Sequence, residues 1–421
     1  MLLSQRIQNM QDSPIRKFNA MAFSRENAGT HVHWLNIGQP DISTPSCFMD
    51  AVRGFDEDVL AYTQSAGWDR LQQAVCDYYE LYGVALKPAD IIVTTGGSEA
   101  LSMAVTCILN SGEELMTAEP FYTNYNTFVQ AAGGQIAAIP TRAEEGYRYA
   151  ERERLEAACN DRVRAILCTT PGNPTGCILD HDEMRVIGEF AREHDLWIIA
   201  DEVYREFCYD GRKPASFGEL PEYADRVILI DSVSKRFSAC GARIGALISK
   251  NEEFIHAAMK LAMGRLCSPT LDQLGAEALY HLPVSYYDDV RREYEQRRDA
   301  FYEEIMKDDE IVCKKPGGAF YMTLKLPVEN SEDFLRYMLT RFDEDGETVM
   351  FTPAEGFYQT PGKGRDEIRI AYVLRSAEMR RAAELLRHGL TVWRETGGDG
   401  GNAGAAAGSA GPGQTPGKGT E

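Results

Sequence analysis

A lysine that follows an apolar run and stands among hydroxyls is the residue best placed for covalent chemistry in this sequence. Lys235 has that place in VILIDSVSKRFSACGARIG, with Ser232 and Ser234 just before it and Arg243 eight positions on. Hydroxyls and a second cation activate an ε-amine, which can then attack a carbonyl carbon and form an imine. A Ser-Lys pair on its own is commonly a solvated loop, so its company decides the reading. In LWIIADEVY, Asp201 follows a buried-strand pattern and Tyr204 lies three positions beyond. A carboxylate there is partly desolvated and needs a cationic or N–H partner. The plainer role for Asp201 is an N-cap.

Two loops add binding chemistry. IIVTTGGSEALSMAV sets Gly96, Gly97 and Ser98 between a strand and a helix starting near Glu99. Free N–H groups at such a helix start, backed by the helix dipole, bind a phosphate dianion; a plain strand-to-helix turn gives the same short string. PGNPTG, residues 171–176, follows the strand AILCTT and holds Asn173 between prolines and glycines. That stiffness aims an amide side chain.

These residues need strands to carry them. Apolar runs at 91–95, 114–117, 165–169, 196–200, 227–230 and 244–248 alternate with amphipathic stretches. The alternation predicts an α/β fold around a mainly parallel sheet, and the polar residues above cluster past strand carboxyl ends, where open α/β sheets bind ligands. Residues 282–308 read as one long helix with Val290, Tyr294, Phe301 and Ile305 on one face. Beyond it, strand-like runs at 319–326 and 367–372 mix with helices and suggest a smaller α+β domain. Residues 395–421, rich in Gly and Ala, have no apolar periodicity and are expected to be disordered.

The bulk composition excludes more than it selects. A chain of 421 residues, 44% hydrophobic, exceeds one average core. Its net charge of −20 argues against a nucleic-acid binder, which needs clustered cations. No stretch is long and apolar enough for a signal peptide or a membrane span, so a cytoplasmic location is expected. Ten cysteines lack CxxC pairs and zinc-like spacing, and read as free, mostly buried thiols. No metal site is expected.

Taken together, these strings resemble the class I/II aminotransferases of the fold-type I pyridoxal-phosphate enzymes, in order and spacing, from about Gly38 to Arg369. The resemblance implies a large domain, residues 46–285, with a mainly parallel seven-stranded sheet flanked by helices. It also implies a small domain built from 1–45 and 286–394. Pyridoxal 5'-phosphate is the implied cofactor, with Lys235 as its Schiff-base lysine and Asp201 as partner of the pyridine nitrogen. Tyr204 and Asn173 match the donors to the ring's phenolic oxygen. Gly97, Ser98, Ser232 and Arg243 match the phosphate cup, and Tyr122, in EPFYTNY, matches the ring stacked on the pyridine. A cis bond at Glu119-Pro120 is implied as well. Tyr62, in YTQSAG, resembles a tyrosine that reaches the neighbouring subunit's phosphate, which implies a homodimer with shared sites.

For the substrate, Arg369 in EIRIAYV matches the arginine that grips the α-carboxylate, and Gly38 in NIGQPD a backbone contact to it. Aspartate-preferring relatives often carry a lysine where this chain has Ser98. Arg265 in MGRLCSPT, near Ser268 and in a region where relatives contribute residues across the dimer interface, is the expected alternative reader of a distal carboxylate, although an exposed surface arginine would look the same. The implied activity is ping-pong transamination between an amino acid, with aspartate or another acidic donor preferred, and 2-oxoglutarate or another 2-oxo acid. A lyase, decarboxylase or aminocyclopropane-carboxylate-synthase-like reaction shares much of this site. A cofactor-sensing regulator is less favoured, since no helix-turn-helix pattern precedes Tyr62.

Overall fold

Residues 1–397 are described in a computed structural model; the expected tail lies outside them from residue 398 on. Chain order gives β1 (His31–Trp34), β2 (Ile91–Thr94), β3 (Glu114–Glu119), β4 (Gln135–Pro140), β5 (Val163–Thr169) and β6 (Trp197–Asp201). These are followed by β7 (Val227–Ser232), β8 (Gly245–Ile248), β9 (Tyr321–Lys325), β10 (Glu347–Met350), β11 (Thr352–Pro353) and β12 (Glu367–Ala371). Seven strands form the central sheet in the order β2-β8-β7-β6-β5-β3-β4. Only β8 runs against its neighbours.

Alternation along the strands explains the continuous apolar runs. In β6, Ile198 and Ala200 join one buried cluster, with Tyr78, Phe190 and Phe217, while Ile199 joins another on the opposite face with Leu101, Tyr125 and Phe254. A strand covered on both faces has no solvent side to mark with polar residues. A third cluster draws on residues 18–35 and 290–393, with Phe18, Phe301, Phe334, Ile370 and Leu386, and takes in Tyr204 and Phe207. Its long helix, Val284–Ile305, starts two residues later than the pattern predicts because Pro283 stands at its N-cap, and Val290, Tyr294, Phe301 and Ile305 are all buried.

Three segments escape the apolar-run criterion. β4 is an edge strand, half-exposed, that ends at Pro140. β1 and β10 pair only with each other, in parallel. Such short or edge strands carry little continuous hydrophobicity. All ten cysteines are free, but only four are buried and six are half-buried, fewer buried than expected. Among the described residues, no helix is long and apolar enough to cross a membrane.

The sheet's register brings the polar residues together. Thr169 and Asp201 are partners across β5 and β6, and Ser232 and Gly245 across β7 and β8. Asp201 therefore ends its strand rather than capping a helix, and its backbone carbonyl accepts from Thr170 N. Gly245 lies where a Cβ would sit 2.6 Å from the Gly96 carbonyl carbon and 2.8 Å from Asp231 O, all rigid backbone. A Gly245→Ala variant is expected to lose about 2 kcal/mol of stability, read as a lower urea midpoint with an unchanged slope.

Candidate active site

A cavity of about 450 Å³ opens at the carboxyl ends of β2, β5, β6 and β7, against the third cluster. Every site residue named from the sequence lines it except Tyr62 and Arg265: Gly38, Gly97, Ser98, Tyr122, Asn173, Asp201, Tyr204, Ser232, Lys235, Arg243 and Arg369.

Lys235 stands on a single helical turn, Val233–Arg236, directly after β7. Ser232 caps that turn, its Oγ accepting from Ser234 N at 3.1 Å. The Lys235 ammonium donates to Gly38 O at 3.2 Å. Asp201 is only 4% exposed and accepts from Tyr125 Oη at 2.6 Å, with a long 3.4 Å contact to Val203 N. Burial raises this carboxyl above the usual carboxylate range, a shift that Tyr125 and the nearby Lys235 charge oppose. Tyr204 is buried and stays protonated for the same reason, with its phenol pushed well above its ordinary range.

At the anion end, helix Gly97–Ile108 begins behind Gly96, whose φ is +77°. A Cβ on Gly96 would lie 2.4 Å from Arg243 Nη2, so only glycine lets the guanidinium rest against the loop. Arg243 also donates to Cys240 O at 2.8 Å. Ser98, Ser232 and Arg243 thus converge with the open N–H groups of a twelve-residue helix, a donor set suited to a phosphate dianion.

On β12, Arg369 is 1% exposed and donates to Asn173 Oδ1 at 3.1 Å and to Asn36 O at 2.5 Å. Its Nε has no hydrogen-bond partner, and no carboxylate among the described residues lies within ion-pair distance. Burial accordingly lowers its pKa. Arg369 also settles the Asn173 amide: with Oδ1 engaged, Nδ2 is the atom left to donate. Gly38 is glycine for space, since a Cβ there would meet Tyr321 Oη at 1.8 Å.

Tyr122 lines the cavity, accepts from Asn124 Nδ2 at 2.8 Å, and burial raises its phenol to about 12. The Glu119-Pro120 bond is cis, as are Thr170-Pro171 and Asn173-Pro174. Arg265 does not line the cavity of its own subunit. Its guanidinium donates to Ser268 Oγ and Val93 O, each at 3.0 Å, and pairs with Glu99 at 3.3 Å, away from the cavity. Tyr62 is 77% exposed. Residues that sequence reasoning missed include Tyr125, Tyr321 and Arg16, which also line the cavity. Tyr125 was within reach of the pattern, one helical turn beyond Tyr122; Arg16 and Tyr321 come from distant segments.

Fold and cavity together define a pyridoxal-phosphate enzyme of fold type I, and the residues present fit that cofactor. Asp201 would offer a desolvated carboxylate to a cationic ring nitrogen, the Gly96 loop a cradle for the phosphate, and Lys235 the amine. The family model for aminotransferase class I and II matches residues 30–386. An aspartate aminotransferase of Bacillus subtilis is 30% identical over 85% of this chain and 92% of its own length. Aromatic-amino-acid aminotransferase 2 of Thermococcus litoralis is 30% identical over 88% and 94%. Among solved structures, alanine aminotransferase from Pyrococcus furiosus superposes with a TM-score of 0.84 at 27% identity, covering 93% of this chain and all of its own. A Thermus thermophilus aspartate aminotransferase with maleate gives 0.81 at 25%, covering 92% and 100%. The chain belongs to the class I and II aminotransferases and is a pyridoxal-phosphate-dependent aminotransferase.

A buried cation without a counter-ion destabilises the fold unless an anion meets it. An Arg369→Met variant is therefore expected to melt no lower than the parent; millimolar maleate is expected to raise the parent's melting temperature and to leave the variant's unchanged.

Proposed function

We propose that this aminotransferase works by two half-reactions at one site, the first amino acid leaving as a 2-oxo acid before the second 2-oxo acid enters. The observation that carries this reading is one cavity holding Lys235, Asp201, the Gly96 loop and the unpaired Arg369. Lys235 Nζ would hold the cofactor's aldehyde carbon, Asp201 the ring nitrogen, and Tyr204 with Asn173 Nδ2 the phenolic oxygen. Gly97, Ser98, Ser232 and Arg243 would hold the phosphate, and Tyr122 would cover the ring. When bound, the cofactor supplies an electron sink for the charge left at the substrate's Cα.

The chain's own residues do the rest. Arg369 grips the α-carboxylate, Asn173 and Asn36 having oriented its guanidinium. The Gly38 backbone lines the same end of the cavity. Once an incoming amine releases it, Lys235 Nζ is the base that takes the Cα proton.

A homodimer with shared sites is part of this proposal. Val59, Leu60, Tyr62, Met263 and Leu266 are all more than half exposed. Their two segments are tied into one patch by Thr270 Oγ1 to Ala61 O at 3.1 Å and Gln273 Nε2 to Thr63 Oγ1 at 2.9 Å. A second copy covering that patch would carry its Tyr62 towards the phosphate cup. A cytoplasmic location accords with the free thiols.

For the substrate we favour an acidic amino donor with 2-oxoglutarate. Arg265 is committed elsewhere, but Arg16 is exposed, lines the cavity and acts on Tyr122 through its charge, with no side-chain bond or ion pair of its own among the described residues. The maleate held by the Thermus relative is a dicarboxylate of the same length class as aspartate.

The purified protein is expected to be yellow, to bleach with aspartate and to recover its colour with 2-oxoglutarate. A Lys235→Ala variant should lose turnover by at least ~10³-fold; full turnover in that variant would refute the role. Arg16→Met should cost on the order of tenfold in kcat/KM for aspartate and leave alanine unchanged. Equal losses for both donors would remove Arg16 from the reading of the distal carboxylate.

A further inference from the structure

The GGAFYMTL segment places Tyr321 at the start of β9, with its side chain 2% exposed and facing the cavity. Its hydroxyl lies 3.0 Å from Tyr204 Oη and 3.5 Å from Gly38 O. Gly38 O in turn accepts from Lys235 Nζ. The face of the Tyr321 ring meets Arg369, whose guanidinium carbon stands 4.7 Å from the ring centroid. One side chain therefore touches the phenol assigned to the cofactor's oxygen, the arginine assigned to the substrate's carboxylate, and the carbonyl beside the lysine.

A hydroxyl has one proton to give. If Tyr204 donates to a cofactor oxygen, its proton is spent, and the 3.0 Å contact can form only with Tyr321 donating to Tyr204 Oη. The alternative, Tyr321 donating to Gly38 O, is longer by half an ångström and would draw the Tyr204 proton inwards. Hydrogen bonds in series polarise one another, so a donor behind Tyr204 makes Tyr204 a stronger donor in front.

We propose that Tyr321 is a positioning residue for transamination: its hydroxyl orients and strengthens the Tyr204 donation, and its ring sets the plane of the Arg369 guanidinium. The proposal rests on the functional reading above and extends it to a residue that reading does not use. The two roles are separable. The hydroxyl serves the cofactor end, and the ring, through a cation–π contact, serves the carboxylate end.

The test is a pH titration of the holoenzyme's visible absorption. Donation to the ring oxygen disperses its negative charge and loosens its hold on the proton at the Lys235 nitrogen. Removing a donor tightens that hold, so the midpoint moves up. Tyr321→Phe keeps the ring and should raise the midpoint by roughly 0.3 pH unit. Tyr204→Phe should raise it further, and adding Tyr321→Phe to Tyr204→Phe should then shift nothing more, a coupling that loss of general packing would not produce. Maleate binding by calorimetry reads the ring: the dissociation constant should stay within about twofold in Tyr321→Phe and rise on the order of tenfold in Tyr321→Leu. An unmoved Tyr321→Phe midpoint, an equal shift in both backgrounds, or Tyr321→Phe weakening maleate as much as Tyr321→Leu overturns the inference while leaving the functional reading intact. A parent protein without a visible band overturns both.

Discussion

Burying a charged group without an ion-pair partner costs several kcal/mol, and this fold does so twice in one cavity. Arg369 and Asp201 are both nearly inaccessible, and neither has an ion-pair partner among the described residues. Each is instead held by neutral groups, Arg369 by Asn173 and a backbone carbonyl, Asp201 by a tyrosine hydroxyl. A chain selected for stability alone would replace such groups with apolar ones. Their presence makes sense when an anion and a cation arrive from outside, as a substrate carboxylate and a protonated ring would in the proposed function.

The rest of the structure is the frame for those two charges. The sheet's register carries Asp201 level with Thr169, and the short turn after β7 brings Lys235 round. Glycine at 245 lets β8 press against the Gly96 loop, and glycine at 38 leaves room for Tyr321. Arg369 comes from a different sheet, whose core is built from segments on both sides of the central one in sequence. The cavity is thus closed mostly by segments distant in sequence from its floor, and its two ends can be tuned separately.

That division also governs how much of the site is legible in the amino-acid order. Lys235, Asp201, Tyr204, Asn173 and the Gly96 loop each sit where an apolar run breaks into polar residues, a signal that the strand itself generates. Arg369 stands out because charge interrupts a buried strand. Tyr321 carries no such mark: an aromatic residue at the head of a buried strand reads as core, and only the folded chain sets its hydroxyl beside Tyr204. Arg16 lies in an irregular N-terminal segment whose place depends on long-range packing. Arg265 carries no local mark of its surroundings either: within its own subunit it donates to backbone carbonyls at Val93 and Ser65. The edge strand β4 was hidden because one of its sides is open to solvent.

The account stands on a covalent bond at one nitrogen. Reduction of the yellow holoenzyme with borohydride makes that bond permanent, and mass spectrometry of the proteolytic peptides then locates it. A single pyridoxyl-phosphate adduct is expected, on the peptide that contains Lys235. An adduct on another lysine, or none on a protein that retains its colour and turnover, would contradict it.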